Sequence, residues 1–158
     1  MKFDDFGKPL STAQGNKADI VCDYGEFGVT VEVTTATGQR QYETEGEPVA
    51  RHLAKFKEAM GKKSFCLFIA PSINEAAVAH FYALQKMNIS YYGGKSTIVP
   101  LPLEIFEKML EDSCKASYTP EPAQLKLFFE KSIELAENSH DEIEWFESVK
   151  ESALNWLE

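Results

Sequence analysis

Asp19, Glu32, Glu45 and His52 follow one another at steps of 13, 13 and 7 residues. Carboxylates and imidazoles are the side chains that hold divalent cations and move protons, provided the chain folds them onto one spot. Asp19 and Glu32 lie in two runs, Asp19 to Tyr24 and Phe27 to Thr35, rich in valine, threonine and aromatic residues and joined by Gly25-Glu26. Glycine at the first central position of a two-residue loop suits a type II′ hairpin turn. Tyr24 then pairs with Phe27, paired positions sum to 51, and Asp19 falls opposite Glu32. Opposed side chains on antiparallel strands have Cβ atoms about 4.5–5.5 Å apart, and like charges there repel. A cation between them removes the penalty, and hard oxygen ligands on a rigid hairpin favour Mg²⁺. A solvated carboxylate pair on an exposed sheet face is the other reading of the hairpin by itself.

Glu45 and His52 are seven residues apart, two helical turns and about 20° from overlying each other. Val49, Leu53, Phe56 and Met60 recur at helical spacing, so a helix is expected from about Pro48 to Met60. Thr44-Glu45-Gly46-Glu47 matches a capping box ahead of it, Pro48 suits a first turn, and Gly61 ends it. Glu45 and His52 then share one edge of the apolar stripe. A histidine beside a core stripe is usually structural; here it shares its edge with a carboxylate.

The elements that must position these groups follow from the period of the hydrophobic pattern. Phe27, Val29, Val31 and Val33 alternate with Gly28, Thr30, Glu32 and Thr34, as in a strand with two distinct faces. Ser64 to Ala70 is continuously apolar, the mark of a central strand buried on both sides. Ser72 to Met87 reads as a helix with Ser72 as N-cap and Glu75 at its third position. Ile98-Val99-Pro100-Leu101 reads as an edge strand, because proline cannot serve a central one. Helices at about 103–112, 122–137 and 140–157 complete the chain. The order implies an α/β fold, a three-layer α-β-α domain with a central mixed sheet plus C-terminal helices. Cys22 shares a face with Ile20 and Tyr24 and is expected to be buried and inert. Trp145, Phe146, Val149, Ala153, Trp156 and Leu157 form a stripe expected to pack on the same domain, and His80 and His140 read as surface or helix-side residues.

The chain has 158 residues, the size of one domain, and no apolar run approaches the ~20 residues that a bilayer needs. The three cysteines, Cys22, Cys66 and Cys114, lie far apart, which disfavours a disulfide scaffold or zinc knot and suits the reducing cytosol. The net charge of −9 excludes a uniformly basic DNA-coating protein. The acidity is local, however. Residues 103–158 hold 14 acids and 5 bases, which accounts for all of it, whereas residues 1–102 hold 11 of each. Residues 1–17 read as an irregular lead-in that looks like the middle of something, so more chain is expected upstream.

Asp19 followed by Glu32-Val33-Thr34 resembles a variant of the PD-(D/E)XK nuclease motif. The wider context is Gly15-Asn16, Ala18-Asp19-Ile20-Val21, Gly38, Glu45-Gly46-Glu47 and Val49-Ala50-Arg51-His52-Leu53. It is similar to the cleavage domain of the AlwI, MlyI and PleI group of type IIS restriction endonucleases and their nicking relatives, over roughly residues 15–110. The step at Ile98-Val99-Pro100-Leu101 and the helix carrying Phe106 resemble that group as well. The resemblance implies a restriction-endonuclease-like fold and a single cleavage domain over 1–158, with a catalytic core at 15–101 and an acidic helical part at 102–158. It implies a bacterial, cytoplasmic hydrolase that cuts one strand of double-stranded DNA at a fixed offset from a site read by another domain or a large subunit. Transient dimerisation would serve double-strand cleavage. Asp19, Glu32 and the Val33 carbonyl become ligands of Mg²⁺, for which Mn²⁺ substitutes, and Glu45 and His52 position water or phosphate. The ion would polarise the phosphate and acidify a bound water.

Two departures accompany the resemblance. The usual motif lysine is Thr34, and Lys17, opposite it by the same register, is the foremost replacement, with Gln41, Arg40 and Lys55 as others. The group also carries an upstream helical segment with a further acidic site residue, which is expected outside residues 1–158. Two competing readings remain: a non-catalytic interaction module on a nuclease-like scaffold, and a structure-specific DNA repair nuclease.

Overall fold

The computed structural model describes residues 17–158. Strands β1 (Ile20–Asp23) and β2 (Phe27–Val33) form an antiparallel hairpin. Tyr24 N–H donates to the Phe27 carbonyl across the turn at 3.0 Å, and Gly25 has φ +85°, which a side-chain-bearing residue rarely adopts. Ile20 pairs with Val31 and Cys22 with Val29, the register expected from the turn. Helix α1 (Gly38–Met60) then crosses to β3 (Lys63–Ala70), and α2 (Glu75–Lys86) to β4 (Ile98–Pro102). Both of these strands join in parallel, so the sheet is mixed, in the order β1-β2-β3-β4. β3 is central and Pro100 sits on an edge, as their compositions require. Helices α3 (Leu103–Lys115), α4 (Pro122–Asn138) and α5 (Glu142–Leu154) follow.

Alternation along the strands divides the sheet into two faces. Ile20, Val29, Val31, Leu67 and Ile69 turn toward α3 and α4, where Phe65 stacks on Phe129 with ring centroids 4.7 Å apart. Gly28, Thr30, Glu32 and Phe68 turn toward α1 and α2, where Phe68 meets Phe81 edge-on. A side chain at Gly28 would meet the Phe56 ring at 2.4 Å, so the glycine lets α1 lie close on the hairpin. α5 spans the layers: buried Trp145 packs near Tyr82 of α2 and donates to the Ser132 carbonyl of α4. The C-terminal stripe thus packs on its own chain through Trp145, Val149 and Ala153, all fully buried. Cys22 is buried, as expected, on the α3–α4 face.

Two helix starts differ from expectation. α1 begins at Gly38 rather than near Pro48, and its N-cap is Thr37, so the capping box at 44–47 does not form. Pro48 lies inside the helix and lacks the N–H that would reach the Thr44 carbonyl. The earlier start is held by Gln41, which is fully buried. Its amide donates to the Ala36 and Ser72 carbonyls at 2.9 and 2.8 Å and accepts from the Asn74 N–H at 2.8 Å. Gln41 is therefore a clamp between α1 and the β3–α2 loop, with no capacity left to replace a motif lysine. α2 begins at Glu75, capped by Asn74 rather than Ser72, because the Asn74 side chain accepts from the Ala76 N–H. A short 3₁₀ turn, Ser90–Tyr92, was not expected from the pattern. Of the irregular lead-in, all but Lys17 falls outside the described residues, as do Gly15 and Asn16.

Replacing Gln41 by leucine keeps the volume and strands three backbone groups without partners. The expected loss is about 2–4 kcal/mol of unfolding free energy, read as a lower urea midpoint at unchanged m-value. A midpoint within error of wild type would show that the clamp is dispensable.

Candidate active site

Glu32 is the penultimate residue of β2, points to the α1 side and is 6% exposed. Its Oε1 lies 2.8 Å from His52 Nδ1. Asp19 stands just before β1, across the hairpin, where its Oδ2 accepts from the Val33 N–H at 2.8 Å. One position beyond, the Thr34 hydroxyl donates to Glu45 Oε1 at 3.0 Å and accepts from the Ala36 N–H. The Thr44 hydroxyl lies 3.4 Å from Glu45 Oε1, but its proton goes to the Arg40 carbonyl at 2.9 Å. Because Pro48 does not interrupt α1, the two-turn spacing of Glu45 and His52 is helical throughout, and both reach the same end of the hairpin.

Sequence spacing thus brings Asp19, Glu32, Glu45 and His52 to one place. Thr34 belongs there too, although its hydroxyl is engaged in fixing Glu45. Lys17 is exposed and lines a pocket with His52 and Lys55. Arg40 is exposed, and its carbonyl accepts from Thr44. The sequence points to the Val33 carbonyl but does not reveal the Val33 amide as the group that orients Asp19. Of the other histidines, His140 is exposed, whereas His80 packs against Tyr42 between α1 and α2 with Nε2 buried.

Burial, and after it the negative charge of Asp19 and then Glu45, pushes the Glu32 carboxyl up to about 8. Burial also pulls the His52 imidazole below its ordinary value, and the charges of Arg51 and Lys55 act in the same sense. Both shifts favour neutral partners across the 2.8 Å contact. Three carboxylates converging where one of them must keep its proton is an arrangement short of positive charge, and all its donors are hard oxygens. That is what Mg²⁺ or Mn²⁺ requires. Among the described residues, no three His, Cys, Asp or Glu side chains form a ready-made cage. An ion here would rest on Asp19, Glu32, the Val33 carbonyl and water.

The sequence model of the AlwI restriction endonuclease family matches residues 1–109. The chain belongs to that family. Among solved structures, it is similar to the small subunit, R.BspD6I2, of the heterodimeric restriction endonuclease R.BspD6I. The TM-score is 0.69 at 24% identity, over 99% of this chain and 73% of that one. At that identity the likeness shows the fold, a restriction-endonuclease-like mixed sheet between helices. A search of curated protein sequences finds no match. Among the described residues of this AlwI-family chain, no helix is long and apolar enough to cross a membrane.

The Glu32 shift has a consequence for stability. The folded chain keeps the Glu32 proton up to about pH 8, whereas an unfolded glutamate loses it near the ordinary 4.5. The stabilisation is complete below that ordinary value and is lost as pH rises through about 8. His52 acts in the opposite sense: its lowered pKa costs stability as pH falls below its ordinary 6.5. Burial lowers His80 in the same way, and both histidine effects fade above the ordinary 6.5, which leaves Glu32 as the group that makes stability fall with pH. Without divalent ions, unfolding free energy should therefore fall from about pH 6.5 to 8 by up to roughly 1 kcal/mol per pH unit. Glu32→Gln should flatten the profile in that window. Urea denaturation across the range checks both, and a wild-type profile as flat as the variant's would contradict the assignment.

Proposed function

We propose that this chain is the Mg²⁺-dependent cleavage module of a type IIS-like restriction endonuclease of the PD-(D/E)XK type. It hydrolyses one phosphodiester bond of double-stranded DNA near a site recognised by another domain or subunit. The observation that carries this reading is the buried Glu32 carboxylate, 2.8 Å from His52 and crowded by Asp19 and Glu45. Family membership supports the reaction class. The described relative is the small subunit of a heterodimer, which supports a partner subunit here. The net charge of −9 supports the same dependence, because the chain alone has little general attraction for phosphates.

Asp19, Glu32 and the Val33 carbonyl hold the ion in this reading, and Mn²⁺ serves in its place. When bound, the ion polarises the scissile phosphate and lowers the pKa of water. The protein's own part is orientation and proton handling. The Val33 amide fixes the Asp19 carboxylate against the hairpin end. His52 holds one Glu32 oxygen and, neutral at working pH, has a ring nitrogen with which to orient or accept a proton from water. Thr34 ties Glu45 to the sheet so that its carboxylate stays at the site. Lys17 supplies the cationic charge that the motif lysine would have given, and transient pairing of two cleavage modules accounts for double-strand cuts. The module covers 1–158, with the core at 15–101 and the acidic helices at 102–158 turned from the DNA or toward a partner.

One observation favours a second reading. The Thr34 hydroxyl is engaged with Glu45 where a motif lysine would stand, as in a scaffold that has lost catalysis and serves only in assembly.

Asp19→Asn and Glu32→Gln should each lower Mg²⁺-dependent nicking by the assembled enzyme more than about 10²-fold. Circular dichroism should show an unchanged fold, and chelation should abolish wild-type nicking. Strand scission on supercoiled plasmid measures this. Undiminished nicking by the double variant would reject the cleavage reading and favour the scaffold.

A further inference from the structure

Lys55 stands between two openings on the α1 side of the sheet. One is a pocket of about 370 Å³ beside His52, floored by Val21, Phe56 and Ala59 and flanked by Lys17 and Lys55. The other is a groove of about 770 Å³ bounded by the C-terminal half of α1, the start of β3 and the 90–93 turn. Lys55 lines both. The groove carries five basic residues, Arg51, Lys55, Lys57, Lys62 and Lys63, against one acid, Glu58.

These cations are not equivalent. Arg51, Lys62 and Lys63 are paired with Glu47, Asp23 and Glu130, respectively. Lys57 turns inward and donates to the carbonyls of Tyr92, Gly93 and Lys95 at 3.4, 3.3 and 3.0 Å, which fixes the groove wall. That wall presents Tyr91, 72% exposed. Lys17 and Lys55 differ from all of these: among the described residues, no carboxylate pairs with either. Two ammonium groups without a carboxylate partner among the described residues, on either side of an apolar floor, suit a phosphate ester, with its charge between the lysines and its sugar on the floor. Helix α1 from His52 to its end at Met60 runs about 12 Å, the rise of roughly three to four base pairs.

We propose that the pocket and the groove, joined at Lys55, form one path for the sugar–phosphate backbone of the DNA strand that enters the Glu32–His52 site. The identity of the strand rests on the cleavage reading above; the path itself rests on the two cavities and on Lys17 and Lys55, which have no carboxylate partner among the described residues. Tyr91 offers a flat ring to a sugar or base along it. The 103–158 segment, with its charge of −9, keeps a polyanion off the remainder of the surface.

The test is amide chemical-shift mapping on the full chain at about 20 mM salt, with a short DNA duplex and no divalent ion. Shifts are expected at Lys17, Lys55, Lys62, Tyr91 and Gly93 and not along α3 to α5. Lys55→Ala, at an exposed helical position, should weaken binding several-fold and reduce the slope of log affinity against log salt by about one. No DNA-induced shifts, shifts centred elsewhere, or an unchanged slope in the variant would overturn the path. An acidic peptide of equal charge giving the same shifts at the same concentration would also overturn it, as a surface for acidic segments in general. Mg²⁺ alone, titrated separately, reports on residues 19, 32–34 and 45. Silence there with the DNA footprint intact would remove the cleavage reading and leave the path standing; the reverse would remove only the path.

Discussion

Burial of the Glu32 carboxylate against His52 is the constraint that the rest of this architecture serves. A carboxyl group at the end of a central strand loses most of its water, and a hydrogen-bonding partner has to be brought to it. The partner comes from α1, which must lie close on β2 to reach. Gly28 and Thr30 provide the room, because Gly28 has no side chain to lift the Phe56 ring and the buried Thr30 hydroxyl is turned toward the Phe65 carbonyl. Val49, Ala50 and Leu53 bury the adjoining stripe of α1, so the helix cannot roll without exposing them. The geometry of one 2.8 Å contact is thus set by packing along a whole helix.

The sheet also separates charge. On the α1 side lie the hairpin end, the carboxylates and most of the basic residues near Arg51 to Lys63. The C-terminal helices α3, α4 and α5, of which α5 spans the layers, carry the acidic excess. A total of −9 would mislead if it were taken as a uniform surface property, since residues 1–102 are balanced and residues 103–158 carry all of it.

Features encoded by short-range periodicity were legible in the sequence. The Gly25-Glu26 turn and strict alternation on β2 fix the hairpin register, and with it the opposition of positions 19 and 32. The continuous apolar run of β3 and Pro100 on β4 likewise declare a central strand and an edge. The start of α1 was not legible. Gly46 and Pro48 are local helix breakers, and what overrides them is tertiary: Gln41 reaches back to Ala36 and across to the remote Ser72–Asn74 loop. The same limit applies at the site. Four residues could be placed by counting turns and strand steps. The Val33 amide under Asp19, the Thr34–Glu45 contact and the pocket beside Lys55 depend on how helix and hairpin meet, which no local pattern records.

Asp19 stands just before a four-residue strand that, among the described residues, has a neighbour on one side only. Such an edge opens far more often than the centre of the sheet, because few backbone bonds need break and little apolar surface is uncovered. The two acidic ligands proposed for one ion therefore sit on elements of unequal support: β2 is flanked by strands on both sides and β1 on one. A cation shared by the two, in the proposed reading, would tie the open end of the hairpin, opposite its turn, as a clasp closes a hinge.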